Sequence, residues 1–263
     1  MTDIRIVATL PHQRQAAAWM KAGLARHGIS VGITDQPTLA GGDVVICWGW
    51  RIGKRLRERG QTVLVMERGF VGDRMRWVSL GWNGLNGRAV RPPAEDGGAR
   101  WERYHSGVLR PWVAEPRSLA VIMGQVPGDQ SIRGINFDAW AKAEADHLTG
   151  RWRLGYRFHP QCKGVTSIPA GAEVLHGELD DALAVAGLVV TFNSNSGVDA
   201  VLAGIPTVAA DEGSMAYAVT TRSAAETPIQ PDRRAWAHRL AWAQWDPAEI
   251  EDGTAWEALR QCR

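Results

Sequence analysis

Phe192-Asn193-Ser194-Asn195-Ser196-Gly197-Val198-Asp199-Ala200-Val201-Leu202-Ala203-Gly204-Ile205-Pro206-Thr207-Val208 is the stretch on which the fold turns. The run before it, Leu188 to Phe192, is apolar and β-branched and reads as a buried strand. Ser194 to Ser196 is a small polar turn, Ser196 to Ala203 has helical spacing with Gly204 as its stop, and Pro206 to Ala209 is the next strand. A strand, a helix and a second strand in that order make one crossover unit of a parallel sheet. Small residues at such a turn let a ligand approach the backbone, and the helix start directs N–H groups toward an anion such as a diphosphate. Asp199, one turn into the helix, is placed to accept hydrogen bonds from ribose hydroxyls. Ser196-Gly197-Val198-Asp199 equally fits an S-x-x-D capping box that needs no ligand.

Working outward, the same alternation repeats. Ser118 to Met123 and Arg153 to Phe158 read as strands; Asn136 is placed to cap a helix ending near Leu148, and Leu179 to Ala186 forms another. An earlier series covers strands at Ile4–Leu10, Ile29–Thr34, Asp43–Trp48 and Thr62–Met66, with helices at His12–His27 and Arg51–Arg59. Between the two series, Glu67 to Arg117 is rich in Gly, Pro, Arg and Trp, too long for an ordinary connection, with one short strand expected at Trp77–Leu80. Two Rossmann-like domains facing a cleft are therefore expected: an acceptor-side domain over 1–116, and a nucleotide-binding domain over 117–263 completed by two C-terminal helices. Asp246-Pro247-Ala248-Glu249 marks the start of the last helix, with Asp as cap, Pro at the first position and Glu at the third.

Composition limits the function classes. The chain has 263 residues, 45% of them hydrophobic, and a formal charge of +2, ordinary for a globular protein and no demand for nucleic acid. No run approaches the ~18 apolar residues of a membrane span, and no leader is evident, so a cytoplasmic protein is expected. Cys47, Cys162 and Cys262 are too scattered for a disulfide framework or a C-x-x-C metal pair, and no metal site is expected. The 13 tryptophans, several beside arginine as in Arg76-Trp77 and Arg151-Trp152-Arg153, are either core or a stacking surface.

The segment Asp199-Ala200-Val201-Leu202-Ala203-Gly204-Ile205-Pro206-Thr207-Val208 resembles the acidic-Ala-x-x-x-Gly-x-Pro-Val segment of GT-B glycosyltransferases. In those enzymes the acidic residue holds the nucleotide ribose. Retaining members carry a second Glu eight positions earlier, where this chain has Thr191. The likeness is closer to capsule-type, sialyl and Kdo transferases, which place a His-Pro after one strand and a serine-rich turn after a later one. His159-Pro160 and Ser194-Asn195-Ser196 match that order. The resemblance implies an inverting transferase that takes a nucleotide-sugar donor, a UDP-sugar foremost, and needs no tightly bound metal. It places His159, Ser194, Asn195, Ser196, Gly197 and Asp199 on the donor. Gln125 after Met123 and Glu212 after the last strand would line the same rim, or are a turn residue and a solvated acid.

In the first half an inverting enzyme needs a general base. Glu67, just past a buried strand, Asp73 and His12 are the candidates. Glu67 alternatively pairs with Arg68 or Arg74. The Asn83–Arg88 loop is expected beside them on the acceptor side. The stretches Glu67–Arg74, Ser79–Arg88 and Gly124–Asp129 look similar to phage-encoded proteins of this size. That likeness implies hydroxymethylated pyrimidine DNA as an acceptor, with a cell-surface saccharide as the other choice. A nucleotide-sugar 2-epimerase, whose acidic pair is here the single Asp199, and a non-catalytic binding module share the same pattern.

Overall fold

A computed structural model describes residues 3–37, 42–162 and 167–263. The chain divides into two compact units, Met1–His105 with Ala237–Arg263, and Ser106–Trp236.

The first unit opens with β1 (Ile4–Val7), α1 (Pro11–Arg26), β2 (Gly32–Thr34), β3 (Val44–Trp48), α2 (Trp50–Arg57), β4 (Thr62–Arg68), β5 (Val78–Trp82) and α3 (Ala99–His105). The second runs through β6 (Leu119–Met123), α4 (Phe137–Leu148), β7 (Arg153–Arg157), β8 (Ala172–Val174), α5 (Leu179–Val185), β9 (Ala186–Thr191), α6 (Ser196–Leu202) and β10 (Thr207–Ala209). The division falls inside α7 (Arg234–Ala241); β11 (Gln244–Trp245), α8 (Pro247–Glu251) and α9 (Thr254–Arg260) follow.

In the first unit the sheet order is β11-β5-β4-β3-β1-β2. β2, β1, β3 and β4 are parallel, while β5 pairs antiparallel with both β4 and β11. β3 carries five consecutive buried residues, as expected of a strand covered on both faces. One face, with Ile6, Ile46, Leu64, Leu80 and Trp82, packs on α1, α8 and α9; the other, with Val45, Val63 and Val65, packs on α2. The second unit is a parallel sheet ordered β10-β9-β6-β7-β8, with β6 at its centre. Asn136 caps α4 as expected, its side-chain oxygen accepting from the Ala139 N–H at 3.1 Å.

The C-terminal segment departs from the expected 117–263 domain. Residues 237–263 belong to the first unit, where β11 adds an edge strand to β5 and α8 and α9 pack against α1. A buried ion pair ties the segment there, beside the apolar packing of Ile250, Trp256 and Leu259. Arg100 of α3 binds Glu249 of α8 through both carboxylate oxygens, its Nη2–Oε2 distance being 2.7 Å. The same guanidinium donates to the carbonyls of Ala241 at 2.6 Å and Gln244 at 2.8 Å, and lies 4.3 Å from the centre of the Trp245 ring. The expected box at Asp246 does form: Asp246 accepts from the Ala248 N–H at 3.0 Å, and Glu249 from the Asp246 N–H at 3.0 Å.

None of the 13 tryptophans is exposed. Seven are buried and six half-buried, so packing accounts for at least the larger share. Among the described residues no helix is long and apolar enough to cross a membrane.

Removing one member of a buried charge pair leaves the other uncompensated, at a cost of about 3–5 kcal/mol. Glu249→Ala is therefore expected to lower the urea unfolding midpoint sharply. Asp232→Ala, in the exposed pair with Arg234, should leave it in place.

Candidate functional site

In the second unit every strand points the same way, so each strand exit lies on one edge of the sheet. From β10 to β7 that edge carries Asp211 and Glu212, then Asn193 to Ser196, then Gln125, then His159. The chain leaves β6 toward β7 and β8, then crosses to the other side of β6 to form β9. The boundary between β6 and β9 is thus a topological switch point, where doubly wound sheets bind ligands.

Gln125 and Asn193 join across that boundary. The Gln125 Nε2 donates to Asn193 Oδ1 at 2.8 Å, and the Asn193 N–H donates to Gln125 Oε1 at 3.2 Å. Asn193 Nδ2 donates onward to the Ser131 carbonyl and to Asp211 Oδ2, both at 2.8 Å. Asn193 is buried and serves as the hub of the turn. The sequence pattern by itself does not single it out. The available signal was its place directly after a buried strand, where a polar side chain with four bonding positions must find partners. Gln125, expected on the donor, spends both carboxamide atoms holding this hub.

The turn itself is internally bonded. Ser194 Oγ accepts from the Ser196 N–H at 3.3 Å and from the Ser196 hydroxyl at 2.9 Å. The N–H of Gly197 goes to the Ser194 carbonyl at 3.1 Å, and those of Val198 and Asp199 go to the Asn195 carbonyl at 2.8 and 3.1 Å. The amides expected to face an anion thus already have acceptors, and an incoming phosphate would share or replace the Ser194 oxygen. The S-x-x-D box is absent: Asn195 is the cap residue, without a side-chain cap bond, and its Nδ2 reaches Asp199 Oδ2 at 3.4 Å. Asp199 is half-buried. Gly197 lets α6 start against β9, since a Cβ there would lie 3.1 Å from Thr191 Oγ1. Thr191, fully buried, donates its hydroxyl to the Val208 carbonyl at 3.2 Å.

His159 is half-buried just past β7. Its Nδ1 accepts from the Gln161 N–H at 3.2 Å, so the neutral ring carries its proton on Nε2, a donor suited to a phosphate oxygen. Glu212 is exposed on the loop after β10.

In the first unit the carboxyl edge gathers His12, Trp48, Glu67 and Arg68. His12, at the start of α1, meets the Trp48 ring edge-on at 5.1 Å, and the Arg68 guanidinium lies 5.4 Å from the centre of that ring. Glu67 is half-buried over Gly49, where a Cβ would stand 3.4 Å from Oε1. Burial, and then the Glu67 charge, push the Cys47 thiol up to about 12, so it stays protonated. Arg68 and Arg74, candidate partners of Glu67, donate to the carbonyls of Met75 at 3.2 Å and Gly69 at 2.8 Å. Asp73 is exposed and begins a turn, accepting from the Met75 N–H at 2.9 Å. The Asn83–Arg88 loop is not beside Glu67. Because β5 runs antiparallel, Asn83 sits at the amino end of β4, exchanging hydrogen bonds with Val63 at the opposite edge of the sheet. Among the described residues no group of three His, Cys, Asp or Glu side chains is placed to hold a metal ion.

With both units described, the architecture is that of the GT-B glycosyltransferases: two Rossmann-like α/β units in one chain. Two solved structures of KpsC from Thermosulfurimonas dismutans share it. The beta Kdo 2,7 transferase aligns over 98% of this chain and 100% of its own, with a TM-score of 0.55 and 16% identity. The beta Kdo 2,4 transferase aligns over 90% and 89%, with a TM-score of 0.51 and 16% identity. No family model and no curated sequence matches the chain.

Two outcomes are expected. Asn193→Ala strips the hub from the β6–β9 edge and should cost about 2–3 kcal/mol, seen as a lower melting temperature. His105, beneath the first unit's edge, faces Arg100, Glu249, Gln244, Trp77, Trp101 and Tyr104. Burial, and then the Arg100 charge, lower it from 6.5 to about 4. As pH falls the unfolded chain takes up this proton first, so stability is whole above about 6.5, declines toward about 4 and then levels. Unfolding measured at neutral pH and near the lower limit should show wild type losing up to about 3 kcal/mol more than His105→Gln.

Proposed function

We propose that the chain is a nucleotide-sugar-dependent glycosyltransferase, with its donor on the second unit and its acceptor activated on the first. The observation that carries this reading is the placement of His159, Ser194, Ser196 and Asp199 along one carboxyl edge of a GT-B fold, with Ser194 and Ser196 beside the switch point and His159 two strands away, past β7. Asp199 would accept from the ribose hydroxyls. The His159 Nε2–H and the serine hydroxyls would meet the phosphate oxygens, and Glu212 the donor sugar. Asn195 and Gly197 would shape the turn on which the donor rests.

Transfer is read as one displacement with inversion. Glu67 takes the acceptor hydroxyl proton, the oxygen bonds to the anomeric carbon, and the bond from that carbon to the phosphate oxygen breaks, its electron pair leaving with the nucleotide. Thr191, wholly buried and bound to a backbone carbonyl, supplies no second carboxylate at the donor. His12 and Asp73 are the alternative bases.

The acceptor is read as anionic. Arg51, at the start of α2 beside the carboxyl edge, is exposed, and the exposed Lys54, Arg55, Arg57 and Arg59 extend this positive surface along the helix toward the opposite edge, with a single acid, Glu58, among them. That favours an acceptor bearing phosphates or carboxylates. Hydroxymethylated pyrimidine DNA is the finer reading and an acidic cell-surface saccharide the competing one.

A thermal-shift and turnover panel of UDP-, GDP-, CMP- and dTDP-sugars, with each acceptor, tests these assignments. A donor at ~100 times its dissociation constant should stabilise the fold by about 2.7 kcal/mol, and Asp199→Ala should abolish that shift. Glu67→Gln should lower kcat by ~10²–10⁴ while donor binding persists. A binding module would not register the Glu67 change, and no shift with any donor would sink the reading.

A further inference from the structure

The segment that follows Glu67 is held by a side chain from near the far end of the chain. Gln244, fully buried in β11, places its carboxamide against residues 69–71. Its Oε1 accepts from the N–H of Phe70 at 2.6 Å and of Val71 at 2.9 Å. Its Nε2 donates to the Val71 carbonyl at 3.1 Å and faces His105 Nε2 at 3.2 Å. All four bonding positions of the amide are thereby used, which fixes its orientation. With Gln244 donating, His105 must accept at Nε2 and carry its proton on Nδ1.

Gly69 fits this arrangement. A Cβ there would lie 3.0 Å from Gln244 Oε1 and would run into the Trp77 side chain. Its N–H is bound to the Trp77 carbonyl at 2.9 Å. The backbone just after Glu67 and Arg68 is thus pinned from two sides, and no hydrogen bond of β4 itself could do this, since the strand has ended.

We infer that Gln244 is a positioning residue for the candidate base Glu67, acting through the Gly69–Val71 backbone, with His105 as the acceptor that orients its carboxamide. This rests on the glycosyltransferase reading above. A base must stand within hydrogen-bonding reach of the acceptor hydroxyl, and a displacement of one ångström can cost ~100-fold in rate.

The test exchanges donor for acceptor. Gln244→Glu keeps an oxygen for the Phe70 and Val71 N–H groups but turns a second acceptor toward His105 and the Val71 carbonyl. Near pH 8, where His105 is neutral, kcat should fall ~10–100-fold while the donor KM and donor thermal shift stay at wild-type values. Relative to wild type at each pH, the loss should shrink as pH falls and His105 gains a proton to donate. Gln244→Glu combined with His105→Gln restores a donor on the position-105 side of the carboxylate, leaves only the Val71 carbonyl opposed, and should recover part of the rate at all pH values. A purely structural role would lower the melting temperature without this pH-dependent, reciprocal pattern. Wild-type kcat in a folded Gln244→Glu, or a folded double variant no faster than the single, would overturn the inference. A wild-type protein that transfers from no donor would instead overturn the function reading, and the inference with it.

Discussion

The architecture of the first unit depends on one buried guanidinium. Arg100 brings a full charge into the core, which is tolerable only when it is paired and hydrogen-bonded, and four of its five N–H donors meet acceptors. Two of those acceptors are Glu249 oxygens and two are the carbonyls of Ala241 and Gln244, so every partner comes from the last part of the chain. The guanidinium therefore selects where the C-terminus goes. Once Ala241 to Glu249 is gathered around it, β11 lies along β5, Trp245 enters the core opposite Val78, and α8 follows against α1. The stacking of Arg100 on Trp245 and Trp242 adds to a site already closed to water.

This dependence explains which parts of the fold were legible in the sequence. The strands and helices of 1–66 and 118–209, apart from the three-residue edge strand β8, follow from hydrophobic period and punctuation, and most of their ends lie within a few residues of where the residues placed them. The ownership of the tail did not follow. An amphipathic helix declares that it has a face to bury, not which sheet will bury it. β11 is two residues long, Gln244 and Trp245, too short to carry an alternation. α3 was hidden because Arg100, its most constrained residue, looks like a surface cation until Glu249 is seen beside it.

Strand direction was the second thing sequence could not supply. Reading each strand as parallel puts the Asn83–Arg88 loop on the carboxyl edge with Glu67. The antiparallel pairing of β5 with β4 reverses that, and the two lie at opposite ends. In the second unit the assumption held, because every pairing there is parallel, and the segments after β7 and β9 that carry His159, Ser194 and Asp199 lie on one edge. What stayed hidden was the use of hydrogen bonds inside the turn. A small polar stretch before a helix looks like a set of open donors, yet Ser194 and Asn195 accept those N–H groups themselves, and Gln125 is bound to Asn193.

The two edges are consequently prepared in different ways. In the second unit the supports come from the same sheet: Gln125 after β6, Asn193 after β9 and Asp211 after β10 tie neighbouring strand exits to one another, so the turn is rigid wherever that sheet is formed. In the first unit the support for the carboxyl edge is not local. β4 ends at Arg68, and the segment after it is held by Gln244, which is there only because Arg100 has fixed the tail. An acid at the end of β4 is therefore coupled to residues almost two hundred positions away, through a carbonyl bond, a carboxamide and two amide N–H groups. Pre-organisation of a reacting group requires that its neighbours have no other low-energy arrangement. A carboxamide with all four positions engaged satisfies that condition, because rotating it by half a turn would set donors against donors and acceptors against acceptors. The order at this edge comes from hydrogen-bond polarity more than from close packing, and it extends from the core of the tail to the rim where Glu67 stands.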